Sequence, residues 1–424
     1  MGAVDLLSKA RQEWNRLPPK FVPIVGITFL MWMGSSIIAP TLPLYAERLG
    51  LNATGVGAAV GGFFLGRMVF NLAGGSLADA WGLRRVAVFG CLFAGSGSFA
   101  AGFAGSFLPL VSARVLQGAG AGMYATAALS AVVALAPAAR RGRLLATYQG
   151  LGFAGFSLGP VLGGAIGSWL GLEAPFFVFA GMSVIAVGVA GLWLPADLRP
   201  RELGHREAET DDEEDLAANR RGRLRNLLQL RAFFVVLIVT FAFFAIRGGM
   251  RNSVVPLFAE ADLGMTSFGI GVMIAISSIF NIAVLGHAGS ALDRAGRRPV
   301  ITWSLLASGL SVCAIAVVTS DWALVLVMIV LASATGYGGV APTTVTADIA
   351  PPALRGMAIG VQRMVTDLGH MLGPLLAGFA ADQLGFRTSF VVIGVLVVIV
   401  VALPARMPET RPPSRINRQE DAPT

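Results

Sequence analysis

The chain has 424 residues, of which 55% are hydrophobic and 13% are charged, and its mean hydropathy is +0.72. Because soluble domains carry about 25% charged residues, this composition excludes an ordinary soluble protein and predicts one embedded in a lipid bilayer. The net charge of +8 does not indicate a nucleic-acid partner, since most basic residues lie beside apolar segments, where they set membrane topology.

Twelve apolar segments are long enough to span a bilayer, which requires about 20 mostly apolar residues per helix. The first twenty residues are polar and basic, and the apolar stretch after them is too long for a signal peptide, so no cleavable signal is predicted. The predicted spans are 21–44, 56–78, 86–105, 108–136, 144–170, 174–195, 232–258, 267–291, 299–319, 322–349, 356–380 and 387–404.

The placement of arginine predicts how the chain crosses the membrane. Arg48 and Arg387 are the only basic residues in the outer connections, whereas the inner connections contain clusters of them. Cytoplasmic segments collect Lys and Arg, so we expect a multi-pass protein of a bacterial inner (plasma) membrane with both termini in the cytoplasm. The inner clusters include Arg84-Arg85, Arg140-Arg141-Arg143, Arg294-Arg297-Arg298 and Arg355.

Turn and packing residues in the first half of the chain recur 214 residues later in the second half. Such a repeat indicates two copies of one unit. It predicts an all-α membrane protein whose twelve transmembrane helices form two six-helix pseudo-symmetric bundles, 1–195 and 231–424, joined by a cytoplasmic linker at 196–230. Paired halves in a membrane protein predict a site at their interface, as in a transporter. The offset relates Gly75, Asp79, Gly82 and Arg84 to Gly289, Asp293, Gly296 and Arg298, and Gly159-Pro160 to Gly373-Pro374.

The motif 75–85 and its copy 289–298 fall at the inner ends of the second and eighth predicted spans. The glycines permit tight turns, and the aspartates can accept hydrogen bonds from a helix N-terminus or pair with inner-face arginines. The motif resembles the signature loop of the major facilitator superfamily, and the likeness covers nearly the whole chain. The first copy departs from that pattern at Ala80 and Leu83. The resemblance implies the major facilitator fold, rocker-switch alternating access and a gate at Asp79, Asp293, Arg84 and Arg298.

Two further motifs resemble those of the drug/proton antiporter branch of this superfamily. Residues 114–120, which begin with Arg114 and include Gln117, resemble its fourth-helix motif, whose arginine is associated with proton coupling. Residues 150–164, with Gly159 and Pro160, resemble its fifth-helix antiporter motif. The glycines of the second motif leave one face of a kinked helix without side chains. A neighbouring helix can therefore approach that face closely and slide against it. Ordinary packing of small residues is the alternative explanation.

After the residues at the inner and outer ends of the spans are assigned, six ionised residues remain within the helices. An arginine in mid-membrane costs about 2.5–3.5 kcal/mol on insertion scales, so we expect these side chains to face a polar interior and not lipid. A carboxylate or phosphate would suit the paired arginines of the seventh span, although carbonyl or aromatic groups of the protein would also satisfy them. The six residues are Arg67, Arg114, Arg247, Arg251, Arg363 and Asp367.

Asp367 is the only carboxylate well inside the predicted bilayer region, and it shares one helical face with Arg363 and His370. Either Arg363 and Asp367 neutralise each other, or Asp367 binds and releases the coupled proton, with Arg363 lowering its proton affinity and His370 serving as a relay. Arg114 has a role either in proton coupling or in stabilising the structure.

The predicted substrate cavity combines these charges with neighbouring polar and aromatic side chains. Each aromatic residue is also compatible with ordinary helix packing. The candidates are Arg67, Arg247, Arg251, Gln117, Tyr124, Trp32 and Tyr337.

These features predict proton-coupled efflux of a small neutral, zwitterionic or anionic amphipathic compound. The alternatives are a proton symporter or facilitator importing an organic anion or sugar, and a non-transporting membrane sensor. The expected partners are the substrate, protons and lipid, and the expected state is a monomer. No nucleophile–base constellation, metal cluster or cofactor motif appears in the sequence, so an enzyme, a metal and a cofactor are not predicted.

Overall fold

The computed structural model describes residues 20–136, 140–194, 230–351, 354–407 and 409. The described chain is mostly helical, and no β-strand occurs within those ranges. The predicted linker at 196–230 lies outside the described residues except for Leu230. The tail beyond 409 and the side chain of Asp79 lie outside them as well.

Seven helices lie in the described residues of the first half of the chain, 20–136 and 140–194. In lipid, a chain segment must satisfy its backbone hydrogen bonds internally, so long apolar runs become helices. The bounds are Phe21–Ile37 (α1), Leu42–Arg48 (α2), Ala53–Trp81 (α3), Leu83–Gly102 (α4), Phe107–Leu135 (α5), Arg141–Leu170 (α6) and Ala174–Trp193 (α7).

From residue 230 to residue 409, the described part of the second half contains seven α-helices, a π-helical turn and a 3-10 helix. The π-helix joins α8 to α9 without a break in the chain of helical residues. The bounds are Arg231–Gly249 (α8), Met250–Val254 (the π-helix), Val255–Ala261 (α9), Ser267–Ala295 (α10), Arg297–Ile315 (α11), Asp321–Ile349 (α12), Arg355–Leu384 (α13), Phe386–Val400 (α14) and Leu403–Arg406 (the 3-10 helix).

The described helices coincide in position with the twelve predicted spans, and eleven of these positions are apolar enough to cross a membrane. Ten helical segments are long and apolar enough to cross a membrane, and α1 and α2 form an eleventh, broken span with a bend of 42°. The twelfth, α13, has 30 residues but is less apolar, because it carries charged residues including Arg363 and Asp367. The prediction of an all-α membrane protein is confirmed.

The 214-residue repeat is visible in the backbone geometry. Helices α3 and α10 have 29 residues each, α5 and α12 also have 29, and α6 and α13 have 30. Six described glycines have positive φ angles, and they form three pairs at this offset: Gly50 with Gly264, Gly82 with Gly296, and Gly171 with Gly385. Because only glycine adopts these angles readily, both halves use the same turns.

The chain divides into two compact units. The first unit comprises Met1–Tyr45 and Gly62–Glu209, and the second comprises Ala46–Gly61 and Thr210–Thr424. The first turns of α3 therefore pack within the second unit, while the rest of α3 belongs to the first. In the first unit the Tyr45 hydroxyl donates to the carbonyl of Ala104 at 2.8 Å. In the second, Phe258 packs edge-on against Phe390.

Candidate functional site

Arg114 lies in the interior of the first unit, on α5. Its side chain is buried, and its guanidinium lies 4.9 Å from the centroid of the Phe63 ring. Its Nη1 also donates a hydrogen bond to Oε1 of Gln117, one turn further along the same helix. Aromatic and amide contacts of this kind offset part of the cost of burying a cation.

The amide nitrogen of Gln117 is buried and has no hydrogen-bond partner among the described residues. Arg67 of α3 is half-buried in the same unit, with its guanidinium 4.9 Å from the ring centroid of Phe64. Polar groups that are buried at a cost and incompletely satisfied indicate a binding or conformational role.

Two aromatic residues predicted to line the cavity differ in their surroundings. Tyr124 is fully buried, and its hydroxyl donates to the carbonyl of Ile24 at 2.7 Å and lies 2.8 Å from Oγ1 of Thr28. It therefore joins α5 to α1. Trp32 is half-buried and packs edge-on against Phe153, with ring centroids 5.5 Å apart.

The glycines of the fifth-helix motif form the contact between α6 and α1. A Cβ atom at Gly159 would lie 2.6 Å from the carbonyl oxygen of Met33, and one at Gly163 would lie 1.7 Å from that of Ile37. Pro160 lies inside α6 between them. The Oγ atom of Ser36 also lies beside Gly159, 2.0 Å from the position of a Cβ atom there. The backbones of α6 and α1 thus approach closely, as the motif predicts.

Arg251 lies within the π-helical turn of the second unit. It is buried, and its Nη2 donates to the carbonyl of Ile274 at 2.9 Å and to the hydroxyl of Ser278. Its Nε is buried and has no partner in the described chain. One turn earlier, Arg247 is half-buried. Since π-helical turns are frequent at functional sites, Arg251 is the best-defined candidate for contacting a ligand in this unit.

Asp367 on α13 is buried, whereas Arg363 on the same helix is exposed. The Nδ1–H of His370 donates to the carbonyl of Thr366 at 3.0 Å, and its ring lies 5.0 Å from that of Phe244. His370 is thus tied to its own helix through Nδ1.

Tyr337 on α12 is hydrogen-bonded to His287 on α10. The tyrosine hydroxyl lies 2.8 Å from Nδ1 of His287, and the two rings are perpendicular. His287 is exposed and Tyr337 is half-buried. The sequence indicates a cavity role for the tyrosine and a structural role for the histidine, but does not indicate that the two form a pair.

Arg297 makes several polar contacts at the turn between α10 and α11. The sequence motif favours Arg298 and not Arg297 for gating. Nη1 of Arg297 lies 3.2 Å from Oδ1 of Asp293, and its Nε donates to Oδ2 of Asp348 at 3.3 Å. Arg298, which the motif favours, is exposed. In the first copy of the motif, Arg84 is half-buried.

The same turn is held by a residue far along the chain. The carboxylate of Glu409 accepts hydrogen bonds from the backbone nitrogens of Arg297 at 2.8 Å and Arg298 at 3.1 Å, at the start of α11. A carboxylate at a helix N-terminus stabilises the helix. Sequence reasoning missed both Glu409 and Asp348, because a contact over such a separation leaves no local pattern.

Two units of long apolar helices, each with a buried arginine in its interior, define a multi-pass membrane protein. The profile of the Major Facilitator Superfamily matches residues 24–260 and 237–424, and the chain belongs to that family. Membership confirms the resemblance drawn from the signature motifs. It also makes the protein a transporter of small molecules and not an enzyme.

Similar proteins include characterised and uncharacterised transporters. The chain is 23% identical over 375 residues to an uncharacterised MFS-type transporter of Methanocaldococcus jannaschii, covering 88% of this chain and 94% of that protein. It is 24% identical over 381 residues to the quinolone resistance protein NorA of Staphylococcus aureus, covering 88% and 92%. Both matches run across both halves of the chain.

Solved structures share the fold at lower identity. A bacterial homologue of the human lysosomal transporter Spinster, in an inward-facing and occupied conformation, is 15% identical with a TM-score of 0.75, covering 94% of this chain and 100% of that one. A peptide transporter of the POT family, in complex with sulfate, also has a TM-score of 0.75 at 15% identity, covering 92% and 94%.

Proposed function

We propose that this protein is a proton-coupled exporter in the plasma membrane of a bacterium, with both termini in the cytoplasm. It acts as a monomer by alternating access, moving a zwitterionic, anionic or neutral amphipathic compound outward while a proton moves inward. The observation that carries the proposal is that Asp367 is the only buried carboxylate in the described part of the chain.

Proton coupling requires a group that changes its protonation during the cycle. The other buried charged residues of the described chain are Arg114, Arg251 and Arg297, and a guanidinium does not lose its proton in proteins. Asp367 is therefore the buried charged group able to carry the proton. Protonation removes the charge of this carboxylate, so its two forms favour different contacts with the surrounding helices. Arg363 and His370, on the same helix as Asp367, and Arg114 on α5 complete the proposed coupling group.

The cationic interior favours a substrate with an acidic or electron-rich group. Arg67, Arg247 and Arg251 supply guanidinium donors, and a guanidinium fork matches a carboxylate in geometry and charge. The relative NorA is named for quinolone resistance, and a quinolone carries a carboxylic acid on an aromatic ring. We therefore choose a fluorescent quinolone as the probe. The proposed cavity also includes Gln117, Tyr124, Trp32 and Tyr337.

The direction of coupling is tested in membrane vesicles of defined orientation. With an acidic lumen, everted vesicles that contain the protein are expected to accumulate the quinolone, and a protonophore is expected to abolish that accumulation. A proton symporter gives the opposite pattern, with uptake into right-side-out vesicles when the external medium is acidic. A sensor gives no flux in either preparation. Vesicles from cells without the protein provide the baseline.

The proposed preference of the protein for substrates with an acidic group is tested by replacing the arginines of the spans with uncharged residues. Removing a hydrogen bond to a charged group costs about 1.5–3 kcal/mol, so Arg251→Gln is expected to weaken quinolone uptake by about 10- to 100-fold in half-saturating concentration. Uptake of an uncharged dye should change little. Arg231→Gln, at the exposed start of α8, is the matched control. The substrate preference is refuted if single replacements at Arg67, Arg247, Arg251 and Arg363 all leave quinolone uptake unchanged.

A further inference from the structure

Helix α4 of the first unit exposes one face along its whole length. Its exposed residues recur every three or four positions, and the residues between them are buried. The buried face packs on α5, where a Cβ atom at Gly97 would lie 2.5 Å from the backbone nitrogen of Gln117, and on α7, where Ser98 donates to the carbonyl of Phe176 at 2.7 Å. A helix with one packed and one exposed face lies at the edge of its bundle, so the exposed stripe faces lipid. The stripe includes Arg85, Phe89, Leu92, Phe93, Phe99 and Phe103.

Aromatic side chains that contact one another cover the first half of this stripe. Trp81, the last residue of α3, packs on Phe89 with ring centroids 6.3 Å apart, and Phe89 packs on Phe93 at 6.5 Å. All three residues are exposed, by 36% to 47%. Tryptophan at the end of a membrane helix is typical of the boundary between headgroups and acyl chains. The three rings therefore form a continuous apolar surface that begins at this boundary and extends into the membrane.

Arg85 lies one turn before Phe89, at the end of the stripe where α4 begins. Its side chain is exposed, and no carboxylate in the described chain pairs with it. A guanidinium fork matches a phosphate group in geometry and charge. Residues 85–93 cover about 12 Å of helix, and one leaflet of a bilayer contributes about 15 Å of hydrocarbon. A phosphate bound by Arg85 therefore has its acyl chains beside the aromatic rings.

The second half of the chain shows how the matching helix start binds a negative charge. At the start of α11, the carboxylate of Glu409 accepts hydrogen bonds from the backbone nitrogens of Arg297 and Arg298. The repeat offset relates these two residues to Leu83 and Arg84 at the start of α4. No described side chain accepts a hydrogen bond from the backbone nitrogens of that pair. The positive end of the α4 dipole thus stays available to an anion from outside the chain.

We propose that Trp81, Arg85, Phe89 and Phe93 form a binding site for one anionic phospholipid. The headgroup phosphate binds the guanidinium of Arg85 beside the start of α4, and the acyl chains lie over the aromatic rings. An anionic lipid binds more tightly than a zwitterionic one because the arginine and the helix start are both positive, and α4 contains no acidic residue to pair with an ammonium headgroup. The proposed topology places this site in the inner leaflet. The site does not depend on which compound the protein transports.

Native mass spectrometry of the full-length protein in detergent tests the charge preference of the site. The first phosphatidylglycerol is expected to bind about fivefold more tightly than phosphatidylethanolamine with the same acyl chains, since one arginine near an anionic headgroup contributes about that factor. Arg85→Gln should lose this preference. Phe89→Ala should weaken the binding of both lipids alike, because it removes contact with the acyl chains and no charge.

The matched control is Arg355→Gln. Arg355 is exposed at the start of α13, but no aromatic residue follows it within the next four turns of that helix. This variant should keep the wild-type preference for phosphatidylglycerol. Equal preferences in Arg85→Gln and Arg355→Gln overturn the site, and so does equal affinity of the wild type for the two lipids. Glycerol phosphate, the headgroup without acyl chains, refutes a lipid site if it displaces phosphatidylglycerol at equal concentration.

Fluorescence quenching tests whether the lipid lies at Trp81. In nanodiscs of neutral lipid that contain a small fraction of brominated phosphatidylglycerol, the signal of Trp81 is the difference between the wild-type protein and Trp81→Phe. This signal should be quenched more strongly than by the same fraction of brominated phosphatidylethanolamine, and Arg85→Gln should lose the excess quenching. Equal quenching by the two brominated lipids in the wild type contradicts the site. The measurement uses no transported compound, so its result is separate from the test of the export function.

Discussion

Replacing Asp367 by Asn is expected to abolish proton-driven accumulation of a quinolone in everted vesicles, reducing it to the level of vesicles without the protein. Asparagine keeps the size of the side chain but cannot bind and release a proton, so the carrier loses its link to the pH gradient. Exchange of labelled for unlabelled quinolone across the membrane, which needs no net proton movement, should continue.

The matched control for this prediction is Asp321→Asn. Asp321 is the exposed first residue of α12, and its neutralisation should leave accumulation within about twofold of the wild type, as expected for an exposed charge of small energetic effect. Purified Asp367→Asn protein should retain the thermal unfolding temperature of the wild type. Full accumulation by the Asp367→Asn variant would show that another group carries the proton.

Replacing Gly163 by Ala is expected to destabilise the first unit and to lower transport. The added Cβ would lie 1.7 Å from the carbonyl oxygen of Ile37, which belongs to helix backbone and cannot move aside alone. The α1 and α6 helices must therefore separate. Forcing extra atoms into a packed contact costs about 1–3 kcal/mol, so the thermal unfolding temperature in detergent, followed by tryptophan fluorescence, should fall by several degrees.

Gly150→Ala is the control for this prediction, because Gly150 lies on the same helix and a Cβ there meets no atom within 4 Å. Alanine is a better helix former than glycine by up to about 1 kcal/mol, so this variant should be as stable as the wild type or more so. Equal unfolding temperatures for the two variants would contradict the close packing of α6 on α1.

The membrane fold was predictable from the sequence for physical reasons that act locally. A bilayer selects long apolar segments regardless of what they pack against, so hydropathy alone located the spans. The observed helices extend beyond the predicted spans at several ends, as in α13, because backbone hydrogen bonding continues after the apolar residues stop. The tight turns predicted at Gly82 and Gly296 are confirmed by their φ angles of 82° and 95°.

The candidate sites were predictable as residue types but not as contacts. A charged residue in an apolar segment is visible in the sequence, and the structure buries Arg114, Arg251 and Asp367. The spacing of Arg363 and Asp367 on one helical face suggests an ion pair, yet the described structure leaves Arg363 exposed. Spacing along a helix fixes only which face a residue occupies, while its partner depends on the rotamer and on the neighbouring helices.

The sequence by itself determined the membrane class, the repeat and the family of this protein, because apolar length, turn glycines and motif spacing are properties of short segments. Only the tertiary structure decided which groups meet. Arg297 pairs with Asp293 at the turn between α10 and α11, Glu409 caps α11, and Asp382 caps α3. Residues far apart in the chain form each of these caps, and their contact depends on how the helices pack, which no local pattern records.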